Sequence, residues 1–222
     1  MTADPAPRRA PLTREIVLRA AVALADENGA GAPSMRTLAG RLGVEATSLY
    51  HHFRTKDLIL DGMVDTVFAE IELPPPAADW RTAIRRRSAS LRAALLRHPW
   101  AIGLMDSRTH PGPATLRHHD AVIGCLRRGG FSIAGAAHAF SVLDSYLYGF
   151  TLQELSLPAA PDGGMDEVAG AILDGLPLGE FPYLAEMITD RASRPGYAYA
   201  GEFGVGLDLI LDGLRRERRS WA

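Results

Sequence analysis

An all-α fold follows from three features of the sequence. Apolar residues recur at helical spacing between residues that cap or break helices, no two alternating segments are joined by a credible hairpin turn, and no period of roughly 20–50 residues repeats. Thr13 caps a first helix that carries Ile16, Ala20, Ala23 and Leu24 to Asn28, with Gly29 as its stop. Ser34 caps a short second helix, striped by Met35, Leu38, Ala39 and Leu42 and ended by Gly43. Gly43, Val44 and Glu45 then turn the chain into a segment from Ala46 to Phe53, where Leu49, Tyr50 and Phe53 are the core anchors. Thr55 caps a fourth helix through Leu58, Ile59, Met63, Val64 and Val67 to about Glu72. Pro74, Pro75 and Pro76 end any helix, since each fixes φ and lacks an N–H. The domain boundary is expected there, with an N-terminal domain over residues 1–73 and a C-terminal domain over 74–222.

Beyond the prolines, Trp80, Ile84, Leu91, Leu95 and Leu96 predict a helix over Asp79 to Arg97, and Pro99 opens a short one from Trp100 to Met105. Ser107 to Pro113 reads as a loop. A helix from Ala114 carries Leu116, Val122, Ile123 and Leu126 to Gly129 and Gly130, and Ser132 caps a long one to about Leu157. Pro158 to Gly164 is expected to be mobile, with helices after it over Asp166 to Leu176, Pro182 to Ala192 and Phe203 to Arg219.

With 222 residues, 47% of them hydrophobic and 23% charged, the chain can bury a sizeable core without disulfides. Its apolar stretch from Ala139 to Leu157 is interrupted by Asp144, Ser145, Gln153 and Glu154, so no membrane span is expected. Thr13, Arg14, Glu15 and Arg19 break up the segment after Arg8 and Arg9, so no secretory leader is expected either, and the expected location is the cytoplasm. Cys125 is the sole cysteine and has no ligand cluster around it in sequence, which gives no sign of a zinc site.

The formal charge of −2 conceals an uneven distribution. Between Ser34 and Lys56 four bases, Arg36, Arg41, Arg54 and Lys56, face the single acid Glu45, whereas Asp57 to Glu72 holds five acids and no base. Two short helices on a tight glycine turn, the second polar on one face and succeeded by bases, are what a helix-turn-helix DNA reader needs. Leu38, Leu42, Val44 and Leu49 fix the angle between the helices, which leaves Thr47, Ser48, Tyr50, His51 and His52 to face outward. In such a reader Arg36 and Lys56 would bracket the groove by contacting phosphates on either side. The plain alternative is an αα-corner with solvated polar faces.

The run from Leu38 to Val44, the run from Ser48 to Phe53, and Lys56 to Ile59 resemble the N-terminal signature of the TetR family of bacterial transcriptional repressors. His98 to Glu154 and Phe203 to Leu214 resemble, more diffusely, the ligand-binding domain of the tetracycline repressor. The resemblance implies a homodimeric repressor, released from double-stranded operator DNA by a small-molecule effector, in which a fourth helix links a three-helix DNA-binding domain to a larger helical one. It implies a recognition helix over Ala46 to His51, with DNA contacts from Arg36, Thr47, Ser48, Tyr50, His51, His52 and Lys56. Ala46 stands where the tetracycline repressor has a base-reading glutamine; its methyl can touch a thymine methyl but makes no bidentate contact, so a different operator is expected. The repressor's histidine, threonine and glutamate toward its magnesium–drug complex match Asp106, Thr109 and Gln153. Imidazole becomes carboxylate and glutamate becomes amide, so the expected effector is an unknown molecule other than tetracycline. No cofactor is expected.

Val142, Tyr146, Gly149 and Gln153 share one stripe of the long helix and are candidate effector contacts, with Tyr146 and Gln153 as polar handles. Trp100, Met105 and Phe150 are further candidates. For any single one of these residues plain core packing is the favoured reading. Asp144 lies in an otherwise apolar helix, where it either pairs across a dimer or faces water. Phe203, Leu207, Ile210, Leu211 and Leu214 make the stripe expected to join the long helix in a four-helix bundle between two copies. His118 and His119 read as a solvated face and Cys125 as a small buried hydrophobe, while Gly201, Gly204 and Gly206 read as close helix packing. No GxSxG, HExxH or Walker sequence is present. A small helical ligand-binding protein or enzyme without a DNA role is the alternative, and the basic segment with its motif favours the regulator.

Overall fold

A computed structural model describes residues 11–28, 33–105, 107–108, 110–157, 165–177, 179–194 and 196–218. Every regular element among them is helical, and no strand occurs among the described residues. The helices are α1 (Arg14–Asn28), α2 (Met35–Leu42), α3 (Ala46–Tyr50), α4 (Lys56–Ala69), α5 (Trp80–Arg97), α6 (Ile102–Met105), α7 (Pro113–Arg128), α8 (Ile133–Ser156), α9 (Met165–Gly175), α10 (Pro182–Met187) and α11 (Glu202–Glu217). Gly29 and the segment 158–164, expected as a helix stop and a mobile loop, lie outside the described residues.

All four predicted serine and threonine caps form. The Ile16 amide donates to Thr13 Oγ1 at 3.2 Å, that of Thr37 to Ser34 Oγ at 3.0 Å, that of Leu58 to Thr55 Oγ1 at 3.3 Å and that of Gly135 to Ser132 Oγ at 3.0 Å. Each satisfies a donor the helix itself leaves unpaired, an effect of about 1 kcal/mol. Gly43 closes α2 at φ +64°, in the left-handed region, and its N–H returns to the carbonyls of Ala39 and Gly40. Several bounds differ from expectation. Helix α4 stops at Ala69, with Glu70 capping it. Pro113 opens α7 instead of ending the loop before it, because its fixed φ suits a first helical turn. The span 182–192 is not one α-helix: after Met187 it widens into a π-type turn over Ile188–Ala192.

The chain forms two compact units. The first joins the residues up to Glu72 with Ala93–Asp120. Its core comes from Val17 and Ala21 of α1, Leu38 of α2, Leu49 of α3, Phe53, and Met63 and Val67 of α4, all inaccessible to solvent. Phe68 packs its ring against His118, with centroids 5.1 Å apart. His118 is therefore fully buried and not on a solvated face as its neighbourhood in sequence suggests.

The second unit joins Leu73–Arg92 with the chain from Ala121 onward. Ile84 and Leu91 of α5, Val122 and Leu126 of α7, Leu143 and Leu147 of α8, and Leu207 and Leu211 of α11 build its core. Trp80 meets Phe131 edge-on at 5.0 Å, and a Cβ on Gly129 would lie 2.7 Å from the Trp80 ring, so glycine there is a packing requirement. Cys125 is buried, as expected of a small hydrophobe. Asp144 neither faces water nor needs a second copy: its Oδ1 accepts from Arg87 Nη1 at 2.8 Å inside this unit.

Candidate functional site

The DNA-reading candidates fall in the first unit. Leu38 and Leu49 bury the facing sides of α2 and α3, so the remaining sides of these short helices point outward by helical geometry. Arg36, Thr47, Tyr50, His51 and Lys56 are exposed, while Ala46, Ser48 and His52 are half-buried. Tyr50 keeps 50% of its surface open to solvent. The frame behind α3 is fastened from α1: the Arg14 guanidinium donates to the His52 carbonyl and lies 4.1 Å over the Phe53 ring. Glu45 precedes α3 with no side-chain cap, and its carboxylate accepts from Thr47 Oγ1 at 3.5 Å.

Charge on this face is unequal from base to base. Arg41 is held by Glu27 in a two-pronged pair. Lys56 stands exposed in the first turn of α4, at the positive end of the helix dipole, where a cation is mildly unfavourable and an anion is welcome. Arg54, which sequence reasoning counted in the basic segment without giving it a contact, is exposed two residues before it. The signal for it is its place between α3 and a capped helix start.

The effector candidates are divided between the two units. Tyr146, Phe150 and Gln153 of α8 meet Arg92 and Tyr199, which sequence reasoning missed, and Phe203, which it assigned to a dimer stripe. Phe150 stacks on Tyr199 at 4.8 Å and meets Phe203 edge-on at 5.3 Å. The Arg92 guanidinium lies 4.9 Å over Phe203 and its Nε donates to Glu154 at 2.7 Å. The Tyr146 hydroxyl donates to the Phe203 carbonyl at 2.8 Å, and the Tyr199 hydroxyl donates to Gln153 Oε1 at 2.5 Å, so both polar handles have partners within the protein. Burial, helped by the neighbouring phenols, pushes both hydroxyls above the ordinary value of 10.0, which keeps them as donors. A Cβ on Gly206 would lie 2.4 Å from the Tyr146 hydroxyl, so close helix packing does explain this glycine.

Val142 and Gly149 lie on the exposed side of α8 with Gln153. Trp100 and Met105 are buried in the first unit, where the Trp100 indole donates to Asp26 at 2.7 Å. Asp106 and Thr109 lie outside the described residues. The stripe assigned to a dimer bundle is also redirected: Phe203, Leu207, Leu211 and Leu214 are buried within this chain, where α11 packs on α8. The side of α11 left open carries Val205 and Leu209, at 54% and 71% exposure. Among the described residues, no group of three or more His, Cys, Asp or Glu is placed to hold a metal ion.

This arrangement has relatives. Residues 17–63 match the family model for bacterial regulatory proteins of the tetR family, and residues 73–218 match the tetracyclin repressor-like C-terminal domain. The chain belongs to the TetR family of transcriptional regulators. A TetR-family relation is also plain in individual proteins. An HTH-type transcriptional regulator of Saccharopolyspora erythraea is 41% identical over 62% of this chain and 59% of its own length. The repressor DrrR1 of Streptomyces coeruleorubidus is 31% identical over 94% of this chain and 80% of that protein. The class A tetracycline repressor from transposon 1721 of Escherichia coli is 32% identical over 91% and 90% of the two chains. Among solved structures, apo ActR of Streptomyces coelicolor superposes with a TM-score of 0.80 at 28% identity, covering 96% of this chain and 99% of that one. ActR in complex with actinorhodin does so at 0.79, covering 94% and 99%. Among the described residues of this TetR-family chain, no helix is long and apolar enough to cross a membrane.

Proposed function

We propose that this regulator is a homodimeric repressor that binds a palindromic operator through α2 and α3 and is released when a small aromatic molecule occupies its C-terminal domain. Residues 1–73 read DNA and 74–222 take the effector and dimerise, although residues 93–120 fold into the reading unit. The observation that carries this reading is the outward set of Thr47, Tyr50 and His51 on a helix anchored by the fully buried Leu49, beside Lys56 at a capped helix start. Hydroxyls, phenol and imidazole suit base edges and phosphate oxygens, and the ammonium suits phosphate. Arg36, Ser48 and His52 add contacts to the backbone, and Ala46 offers a methyl to thymine. Phe150, Tyr146 and Gln153 are the proposed effector contacts within the second unit. ActR was solved with actinorhodin, a precedent for effector binding in a relative with this fold.

Selection of duplexes from a random-sequence library tests the reading directly. The expected product is an inverted repeat, bound with an affinity that falls steeply with salt. Tyr50→Ala and Lys56→Ala should each weaken binding at fixed salt and lower the salt slope by about one unit, with unchanged thermal unfolding. Unchanged affinity in both variants would exclude this docking face.

A further inference from the structure

We infer that the phenol of Tyr199 fills, from within the chain, the slot the effector takes, and that the effector is a planar aromatic molecule with a phenolic hydroxyl that enters by displacing it. The inference deepens the proposed function and rests on the effector contacts proposed there. Phe150 supplies the flat wall of the slot. Its side chain is buried, meets Phe203 edge-on at 5.3 Å and leans on Tyr146 at 5.7 Å. The Tyr199 ring lies against it with centroids 4.8 Å apart and planes 14° from parallel, the stacking an aromatic ligand would make. Its hydroxyl donates to Gln153 Oε1, one turn along α8 from Phe150. A single ring thus uses the stacking face and the amide acceptor together. A ligand that takes both carries the same two features at the same separation.

The wall and the filler are held differently. Phe150 and Gln153 belong to α8, a helix of 24 residues, and Phe203 belongs to α11, a helix of 16. The Tyr146 hydroxyl donates to the Phe203 carbonyl at 2.8 Å, which joins these two helices beside the slot. The Arg92 guanidinium lies 4.9 Å over Phe203 and pairs with Glu154 through two hydrogen bonds, so the carboxylate next to Gln153 is already engaged. None of these contacts involves Tyr199. That residue opens a turn of only three residues, Tyr199–Gly201, and is half-buried between the exposed Ala198 and Ala200. Its ring can swing away without breaking either helix, and it leaves behind an aromatic face and an amide acceptor. While the ring is in place a ligand competes with the chain itself, so the apparent dissociation constant exceeds the intrinsic one by the inverse of the open fraction.

The experiment titrates the full chain with 2-naphthol, and separately with naphthalene, by equilibrium dialysis with no DNA present. Tyr199→Ala should bind 2-naphthol at least about tenfold more tightly than the wild type, the gain expected when a filler that closes at least about nine-tenths of the molecules is removed. A hole made merely by truncation would admit both probes alike, so selectivity is the second readout. Adding Gln153→Ala to Tyr199→Ala should weaken 2-naphthol binding at least about fivefold and leave naphthalene within about twofold. Equal 2-naphthol affinity in the wild type and Tyr199→Ala overturns the inference. So does a response to Gln153→Ala that is the same for both probes. If Tyr199→Ala does not fold, Tyr199→Phe keeps the ring and removes the competing hydroxyl; it should tighten 2-naphthol binding about threefold, and an affinity equal to that of the wild type overturns the inference. Because no step uses DNA, failure to select an operator bears on the proposed function alone and leaves this result standing.

Discussion

Arg87 and Asp144 place opposite charges where neither meets bulk water, the guanidinium being fully buried and the carboxylate 12% exposed. Such a pair contributes little net stability while intact, since desolvation opposes the attraction, but losing one member strands the other. Asp144→Ala should destabilise the chain by about 3–5 kcal/mol, and replacing both residues by apolar ones of similar volume should recover most of that loss. Urea unfolding of the wild type and the two variants checks it. Glu70 responds to acid. Burial raises its carboxyl pKa, but hydrogen bonds from Arg97 and His98 outweigh burial and hold it below the ordinary 4.5. A folded-state value below the unfolded one stabilises the protein above the unfolded value, and the benefit disappears as pH falls through the folded one. Glu70→Gln should therefore lower the melting temperature at neutral pH and lose less than wild type below pH 4.5. Curves that stay parallel into acid would contradict it.

At the scale of elements, the turn between α2 and α3 depends on Gly43, whose φ of +64° penalises a side chain. Gly43→Ala should cost about 1 kcal/mol of stability and, because it reorients α3, reduce DNA binding by more than that loss explains. A binding titration alongside chemical unfolding separates the two effects. Much of the helical order was legible because its signals are local: Thr13, Ser34, Thr55 and Ser132 lie within three residues of the amides they cap. What each face packs against was not. The periodicity of Phe203, Leu207, Leu211 and Leu214 states that the face is buried, without stating whether the cover is α8 of the same chain or another molecule. For Asp144 the missing information was a partner 57 residues away. The candidate DNA face was readable because Leu49 and Leu38 obey the same local period as its exposed residues, whereas the setting of Tyr146 depended on Gly206, on a helix distant in sequence.

At the scale of the whole molecule, the proposed palindromic operator would need two reading heads at fixed spacing, and the homodimer proposed above would pair through the open sides of α8 and α11. Val142 and Leu152 on α8, with Val205 and Leu209 on α11, are exposed apolar side chains that such a pairing would cover. Leu209→Glu should yield folded monomers at micromolar concentration with operator affinity sharply reduced, as sedimentation and titration would report. Unchanged sedimentation would move the pairing surface elsewhere. Lys56, exposed at the start of α4, has a separate consequence, since it is the only lysine in the sequence. Amine-directed chemistry therefore has one side-chain target, and that target stands on the surface assigned to DNA. Acetylation would erase a charge at the proposed contact, and bound operator would shield the same amine from reagent. If Lys56 contacts the operator as proposed, labelling at its side chain should fall in step with operator occupancy, and labelling that operator leaves unchanged would take Lys56 off the docking face.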